Sequence, residues 1–260
     1  MSIELTKEEG RLFDEQGWFV RQSVFSLDEV AMAILEFDEL EALAQDLRET
    51  TLLQNAQFVM NPGPEGEPVL ARVVWAGGAR ASLLQFGADA RLLTPVMDLL
   101  RTKVVVQLLN QAHFKRPGDG VAFDWHQDIQ HRDKGGGSWR DIGPRGSYVQ
   151  TISVLDAMDL QSGPLEFIPS SNQWGPVRFK GLEMGPVNLL HQAAIDPRDH
   201  EVVRVIGEPG DVIFFGPYTA HMSRANTSDH YRRVLINGYA VEGANFRHYP
   251  GVGLGRVMRL

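Results

Sequence analysis

The sequence contains no cysteine. A disulfide framework is therefore excluded, and no thiolate is present to bind zinc or an iron–sulfur cluster. Any metal site in this chain must use histidine and carboxylate ligands. The histidines, of which there are eight, are thus the side chains to examine first.

Long apolar runs are also missing, and none approaches the roughly 18 to 20 residues that a membrane-spanning helix needs. The opening MSIELTKEEG lacks the basic and then apolar layout of a signal peptide. The net charge is −8, and the basic residues form no stripe with interleaved aromatics, which disfavours nucleic acid as a partner. These absences predict a soluble, cytoplasmic protein with neither a membrane nor a nucleic-acid partner.

What the chain does contain is typical of a globular fold with many turns. Hydrophobic residues make up 43% and charged residues 22%, while 26 glycines and 14 prolines favour short elements joined by turns. A length of 260 residues is within the range of one all-β domain. We therefore predict a single domain over residues 1–260.

Helix-start signals lie near the beginning of the chain. Thr6 with Glu9, and Ser26 with Glu29, have the spacing of capping boxes. They predict a short helix and then a longer one that ends at about Arg48.

A third helix is predicted over residues 92–101, with Pro95 in its first turn. Farther on, short strand candidates recur between turns, among them EVVRVI, DVIFF, AHMS and RRVLINGYAV. This spacing is typical of a sandwich or jelly roll rather than of βαβ units. We predict a mainly β fold with flanking helices and a double-stranded β-helix (jelly-roll, cupin-like) core. Its helical N-terminal part covers about residues 1–102 and its core about residues 103–242.

One long strand candidate, which begins at Lys103, has an apolar face and a polar face. Gln107, Gln111 and His113 alternate along the polar face, because side chains two apart on a strand point the same way. That face meets either solvent or a wet cavity inside a barrel, and both interpretations remain open.

The motif FDWHQD contains a candidate metal-binding pair. His126 and Asp128 are two residues apart at the end of a predicted strand, so both side chains point to one face. Two histidines and one carboxylate can hold an octahedral Fe(II) and leave positions open for a cosubstrate and dioxygen. His221 is the best third ligand, because it follows the GDVIFF strand and begins another. The alternative is a strand-end histidine satisfied by the neighbouring aspartate.

Two residues that follow His221, Ser223 and Arg232, favour a metal site with a bound cosubstrate. Arg232 stands at the start of the next strand, and a guanidinium can bind a terminal carboxylate with two parallel hydrogen bonds. Ser223 shares a strand face with His221 and can add a hydroxyl to that carboxylate. This arrangement suits a 2-oxo dicarboxylate that chelates the iron through its other end. The alternative for Arg232 is an ordinary surface ion pair.

With these residues, the chain resembles the phytanoyl-CoA dioxygenase family of Fe(II)/2-oxoglutarate oxygenases over nearly its whole length. The matching segments are LTKEEGRLFDEQGWFV, WHQD, GPLEFIPSSNQWG, and GEPGDVIFFGPYTAHMSRANTS with the following RR. The resemblance implies that His126, Asp128 and His221 are the catalytic iron ligands. It also implies that Arg232 binds 2-oxoglutarate with the help of Ser223.

The resemblance adds Gln107 and Thr151 as cofactor-binding residues, because both lie on strands that line the cosubstrate pocket in such enzymes. The implied cofactors are Fe(II), 2-oxoglutarate and O2. The implied reaction oxidises a C–H bond of a small molecule, usually by hydroxylation, and releases succinate and CO2. Desaturation, cyclisation or epimerisation would use the same protein residues.

Two departures from the family pattern bear on this interpretation. The usual proline-glycine-serine-histidine turn reads PSSN here, at residues 169–172, but that position is not a metal ligand. Related halogenases replace the carboxylate ligand with a small residue, so the presence of Asp128 disfavours halogenation.

The segment that directly follows the WHQD motif, residues 129–146, predicts a long loop, and one hypothesis is that it forms part of a lid over the substrate. It carries His131, Arg132, Trp139, Arg140 and Arg145, of which His131, Trp139, Arg140 and Arg145 are candidate substrate-binding residues. The hypothesis is that one of the arginines meets an anionic or carboxylate-bearing substrate, and the alternative is a solvated basic loop.

Two other classes of protein remain open. A cupin-like metalloenzyme without a 2-oxo acid, such as an isomerase, would tolerate loss of Arg232. A non-catalytic binding protein would retain the cavity and bind its ligand whether or not a metal is present.

Overall fold

Two antiparallel β-sheets face each other across a central cavity. In this computed structural model, which describes residues 3–133, 136–143, 145–181 and 194–260, one sheet has nine strands and the other has four. The large sheet contains β1 (Trp18–Arg21), β2 (Thr51–Leu53), β3 (Ala56–Pro62), β4 (Pro68–Val74), β5 (Val104–His113), β7 (Tyr148–Val154), β10 (Val212–Phe215), β12 (Val234–Val241) and β13 (Arg256–Arg259). The small sheet contains β6 (Phe123–His126), β8 (Leu165–Phe167), β9 (Val203–Val205) and β11 (His221–Ser223).

The strand order is that of a jelly roll. The large sheet runs β1-β10-β7-β12-β5-β4-β3-β2, with β13 also paired to β5, and the small sheet runs β6-β11-β8-β9. Strands distant in sequence therefore lie side by side, as β6 and β11 do. The predicted mainly β fold with a jelly-roll core is confirmed.

Five α-helices flank the sheets in the described ranges. They are α1 (Lys7–Glu15), α2 (Leu27–Ala44), α3 (Ser82–Gly87), α4 (Ala90–Leu100) and α5 (Asp128–Arg132). Both predicted capping boxes form: Thr6 accepts from the backbone of Glu9, whose carboxylate accepts from the backbone of Thr6, and Ser26 and Glu29 repeat the pattern. The second helix ends at Ala44, earlier than predicted. No helix in these ranges is long and apolar enough to cross a membrane.

The third predicted helix, α4, begins at Ala90 rather than at residue 92. Asp89 caps α4 by accepting a hydrogen bond from the backbone of Arg91, so Pro95 lies inside the helix rather than in its first turn. Because proline has no N–H, the carbonyl of Arg91 loses its usual helical partner. Burial of the surrounding leucines and valines compensates for that loss.

The large sheet is buried on both faces. Its outer face packs under the helices, with Phe37 of α2 against Phe114 at ring centroids 5.0 Å apart. Its inner face packs on the small sheet, where Phe215 of β10 meets Phe167 of β8. Full burial of each such side chain contributes about 1.5–3 kcal/mol. The core thus has two layers, and the cavity opens between the sheets.

A β-bulge in β5 switches its side-chain alternation. Gly238 of β12 is opposite Leu109 and Tyr239 is opposite Gln107, so Leu108 is an extra residue in β5. An extra residue reverses which face the preceding side chains occupy. Gln107 therefore lies on the face opposite to that of Gln111.

Residues 3–102 contribute β1 to β4 to the large sheet as well as α1 to α4. This part of the chain is thus more than a helical cover. The organisation as one domain over residues 1–260, divided near residue 102, stays a prediction.

Candidate active site

A cavity of about 510 Å³ lies between the two sheets. Its walls come from β3 to β8, α5, β11, β12 and the segment of residues 247–250. His126, Asp128, His221, Ser223 and Arg232 all line it. The structure therefore brings together five residues that are far apart in the sequence.

The two histidines are cross-strand partners. His126 on β6 pairs directly with His221 on β11, and their ring centroids are 4.1 Å apart. Asp128 lies just past the end of β6, as the first residue of α5 rather than on the strand. One ligand atom from each of the three residues lies within 4.8 Å of the others, close enough for all three to share one metal ion.

Backbone carbonyls fix the orientation of both imidazoles. The Nδ1 of His126 lies 2.6 Å from the carbonyl oxygen of Asp124, and the Nδ1 of His221 lies 2.8 Å from that of Thr219. A carbonyl can only accept, so each Nδ1 carries the proton and donates it. Each Nε2 then presents a lone pair, as a metal-ligating histidine requires.

The third member of the triad, Asp128, is a buried carboxylate. Asp128 is 4% exposed, and its Oδ2 has no hydrogen-bond partner among the described residues. Burial raises the pKa of Asp128, and Arg132 and His126 partly oppose that rise. Burial, followed by the charge of His126, lowers the pKa of His221 well below its usual value and keeps it neutral. A neutral imidazole and an unpaired carboxylate oxygen are the donors that a divalent cation would take.

Gln127 holds the turn between β6 and α5 and so positions Asp128. It is fully buried, and its amide nitrogen donates to the carbonyls of Gly175 and Tyr218 at 2.9 and 2.7 Å. Its amide oxygen accepts from the backbone of Val177 at 2.9 Å. We did not predict this role, because a glutamine between two ligands has no sequence signal that separates it from a surface glutamine.

Arg232 lies beyond the triad and faces the cavity. It is 3% exposed, and its Nε has no hydrogen-bond partner among the described residues. Burial lowers its pKa to about 10, which still leaves it charged at neutral pH. A surface ion pair, the alternative for this arginine, is not what the structure contains.

Ser223, on β11, accepts a hydrogen bond from the Nζ of Lys115 at 2.8 Å. Lys115 is fully buried, and burial lowers its pKa to about 6. Because the lysine occupies an acceptor position of Ser223, the hydroxyl proton remains available to a ligand in the cavity.

Gln107 and Thr151 do not face the cavity, which corrects their predicted place in the cofactor pocket. Gln107 donates to the side chain of Asn237 at 2.9 Å on the outer face of the sheet, where Gly87 leaves room for it. Thr151 points to the same side, since its neighbours Gln150 and Ile152 line the cavity. The bulge in β5 explains the error for Gln107.

The candidate substrate residues of the loop separate into two groups. His131 lines the cavity, with its ring centroid 5.2 Å from that of His126. Trp139 is buried against Tyr148 and lies outside the cavity lining.

Of the loop arginines, Arg132 lines the cavity, whereas Arg140 and Arg145 do not. Arg140 is exposed, and Arg145 forms a two-pronged ion pair with Asp14 of α1, with both N–O distances 2.5 Å. Both lie outside the residues that line the cavity. Residues 134–135 and 144 of the predicted loop lie outside the described residues.

The structure adds cavity residues that sequence reasoning missed. They are Arg72 of β4, and Arg247 and Tyr249 near the C-terminus. The one available signal was Arg72, a single charge in the apolar strand VLARVVW.

Known proteins are similar to this chain over most of its length. A model of the phytanoyl-CoA dioxygenase family matches residues 13–234. The 2-aminoethylphosphonate dioxygenase of an uncultured bacterium is 27% identical over 212 residues, which is 76% of this chain and 73% of that protein. The ectoine dioxygenase of Sphingopyxis alaskensis is 25% identical over 237 residues, 85% of this chain and 71% of that protein.

Solved structures share the fold at lower identity. AviO1 from Streptomyces viridochromogenes has a TM-score of 0.67 at 20% identity, covering 94% of this chain and 98% of its own. The epimerase SnoN, crystallised with Fe3+, alpha ketoglutarate and nogalamycin RO, has a TM-score of 0.67 at 17% identity, covering 90% and 82%.

Proposed function

Because the chain belongs to the phytanoyl-CoA dioxygenase family, we propose that it is an Fe(II)- and 2-oxoglutarate-dependent dioxygenase acting on a C–H bond of a small molecule. The observation that carries this proposal is the triad of His126, Asp128 and His221 at the cavity wall. Beyond it lies the buried Arg232, whose Nε has no hydrogen-bond partner among the described residues. Hydroxylation, with release of succinate and CO2, is the proposed reaction.

The residues present fit an Fe(II) site. Two imidazoles whose Nε2 atoms are free of protons and one carboxylate form the facial set that non-haem iron oxygenases use. His126 and His221 keep their orientation through their carbonyl partners, and Gln127 keeps Asp128 in place. The buried Oδ2 of Asp128 accepts no hydrogen bond from the described residues, and a bound metal would give it a partner. Bound iron would supply the activation of dioxygen.

Arg232 and Ser223 fit the distal carboxylate of 2-oxoglutarate. A guanidinium binds a carboxylate through two charge-assisted hydrogen bonds, and the free hydroxyl proton of Ser223 can add a third. Lys115 donates to Ser223 from behind and so leaves the hydroxyl proton of Ser223 free for that carboxylate. A carboxylate-binding pair such as Arg232 and Ser223 distinguishes the proposed enzyme from a cupin-like isomerase, which would bind no 2-oxo acid.

Apolar side chains keep water away from the reacting centre. Phe215 and Phe167 pack against His221, with ring centroids 4.7 and 5.8 Å from it. Ile152 and Ile236 complete the wall behind the cavity. A dry site strengthens each electrostatic interaction within it and protects reactive species from side reactions.

The outcome of the oxidation is the finer part of the proposal. Desaturation, cyclisation or epimerisation is the second candidate, and it is motivated by the fold shared with the epimerase SnoN. Identical protein residues serve all these outcomes, so the orientation of the bound substrate decides among them. The predicted cytoplasmic location also stays a prediction.

The test is succinate release by the purified protein, with and without added Fe(II), during a screen of small molecules. We expect release to require both Fe(II) and 2-oxoglutarate, and the product of a true substrate to gain one oxygen atom. A product of unchanged mass or one that has lost two hydrogens would favour the second candidate. An iron-loaded protein that binds no 2-oxoglutarate would contradict the proposal.

A further inference from the structure

Two arginines line the cavity, and no side-chain hydrogen bond or ion pair holds either of them in the described part of the chain. One is Arg232, and the other is Arg72 in the middle of β4. The other cavity arginines are engaged: Arg132 donates to the hydroxyl of Tyr249, and Arg247 donates to a backbone carbonyl. The distal carboxylate of 2-oxoglutarate accounts for Arg232, and Arg72 is left without a partner.

The surroundings of Arg72 make this lack of a partner significant. The side chain is half-buried, and burial lowers its pKa because no acid compensates for the lost hydration. Its guanidinium carbon lies 5.8 Å from the ring centroid of Phe123, an aromatic contact that orients the charge without neutralising it. Buried charges normally have a partner, so this position is built for an anion that arrives with a ligand.

Neutral donors lie beside Arg72 on the same wall. Arg72 is paired with His113 across β4 and β5, and Val74 is paired with Gln111 of β5 and with Gln57 of β3. The Nε2 of His113 donates to the Oε1 of Gln111 at 2.9 Å, and this leaves the amide hydrogens of Gln111 free. Burial keeps His113 neutral by lowering its pKa well below the usual value.

The charge balance of the cavity agrees with an anionic ligand. Four arginines line it, and its acids are Asp128, which belongs to the triad, and the exposed Asp124. The two charges of Fe(II) and those of Arg232 and Asp128 sum to +2, which the two carboxylates of 2-oxoglutarate cancel. Arg72, Arg132 and Arg247 then exceed Asp124 by two positive charges.

We propose that Arg72, with the amides of Gln57 and Gln111, binds a carboxylate, phosphonate or phosphate group of the main substrate. This inference rests on the proposed function, because it assigns 2-oxoglutarate to Arg232. It names a different anchor from the arginines of the loop. The bound anion would hold the substrate on the β3–β5 wall, opposite the triad on the small sheet.

The test measures anion binding apart from turnover. Methylphosphonate and its neutral dimethyl ester are titrated by calorimetry into the protein loaded with Fe(II) and 2-oxoglutarate under nitrogen. We expect methylphosphonate to bind the wild type better than its ester. Loss of a charge-assisted pair of hydrogen bonds should weaken methylphosphonate binding by about tenfold or more in Arg72→Gln. Arg72→Lys should give an intermediate affinity, since lysine keeps the charge but not the fork.

Two controls separate the possible failures. Arg140→Gln removes an exposed arginine outside the cavity and should leave all affinities unchanged. The affinity of Arg72→Gln for 2-oxoglutarate should stay within about threefold of wild type, which also shows that the variant is folded. Equal weakening of 2-oxoglutarate binding in Arg72→Gln and Arg232→Gln would overturn the inference and assign Arg72 to the cosubstrate.

A wild type that binds 2-oxoglutarate but shows no preference for methylphosphonate, or no binding of it, would also overturn the inference. In both cases the proposed function would stand. A wild type that binds no 2-oxoglutarate would instead contradict the proposed function itself.

Discussion

The two sheets that enclose the cavity differ in the side chains they offer to a ligand. The small sheet and the helix that follows β6 hold the whole triad, and backbone carbonyls already orient both histidines. The large sheet offers two cations that no side-chain hydrogen bond or ion pair holds in the described ranges, Arg72 and, just before β12, Arg232. One wall is thus arranged for a metal and the other for anions. Changes in the anion wall should therefore leave metal binding intact.

The largest expected effect is on the metal wall. Asp128→Ala or His126→Ala should abolish iron binding and succinate formation. Even a lost outer partner of a metal ligand costs about 10- to 100-fold in metal affinity, and a lost ligand costs more. Iron content by elemental analysis is the measurement. His200→Ala, an exposed histidine far from the triad in the sequence, is the control. Full iron occupancy in Asp128→Ala would contradict the assignment of the triad.

The next largest effect is on the anion wall. Arg232→Gln should weaken 2-oxoglutarate binding by about 30-fold or more, equivalent to ~2 kcal/mol, because it removes a buried charge-assisted pair. Iron content should stay normal. Arg233→Gln is a matched control, since that neighbour pairs with Asp156 and Asp38 rather than with the cavity. An Arg232 variant that keeps wild-type affinity would favour the isomerase-like alternative.

A smaller effect concerns pH. Burial and the nearby Arg232 lower the pKa of Lys115 to about 6 in the ligand-free protein, against the opposing charges of Asp119 and Glu166. A carboxylate bound at Ser223 favours the charged lysine and raises that pKa. Its contribution to 2-oxoglutarate affinity is therefore complete below about pH 6 and is lost as the pH rises through the raised value.

The predicted signature of Lys115 is proton uptake when 2-oxoglutarate binds near pH 7. Calorimetry in two buffers of different ionisation enthalpy measures it. Lys115→Met should abolish the uptake, and thermal unfolding reports whether that variant is folded. Equal uptake in the variant and in the wild type would mean that another group takes the proton.

The smallest effect is expected for the loop. Arg145→Ala removes a partly exposed ion pair with Asp14, so it should lower the free energy of unfolding by about 1 kcal/mol or less. Michaelis constants for 2-oxoglutarate and for the main substrate should not change. A selective rise for the main substrate would restore the loop hypothesis and weaken the case for Arg72.

Much of the fold was predictable, because its signals are local. Capping boxes and alternating strands depend on residues near one another, and both matched the structure. The two wrong placements have different causes. Pro95 was misplaced although its cause is local, because Asp89 caps α4 and starts it earlier. Gln107 was misplaced because of an extra residue in β5 that only pairing with a distant strand reveals.

The sequence by itself determined the chemistry that this protein can carry. Without cysteine, any metal site needed histidine and carboxylate ligands, and the motifs around His126, Asp128 and His221 indicated the family that the comparison shows. Only the tertiary structure decided which charges meet the ligand. Arg145 and Arg72 are the same residue type, but Arg145 lies against Asp14, whereas Arg72 faces the cavity with no ion pair to any described residue. Whether a charge has a partner depends on contacts between distant elements, and those contacts form only when the two sheets close around the cavity.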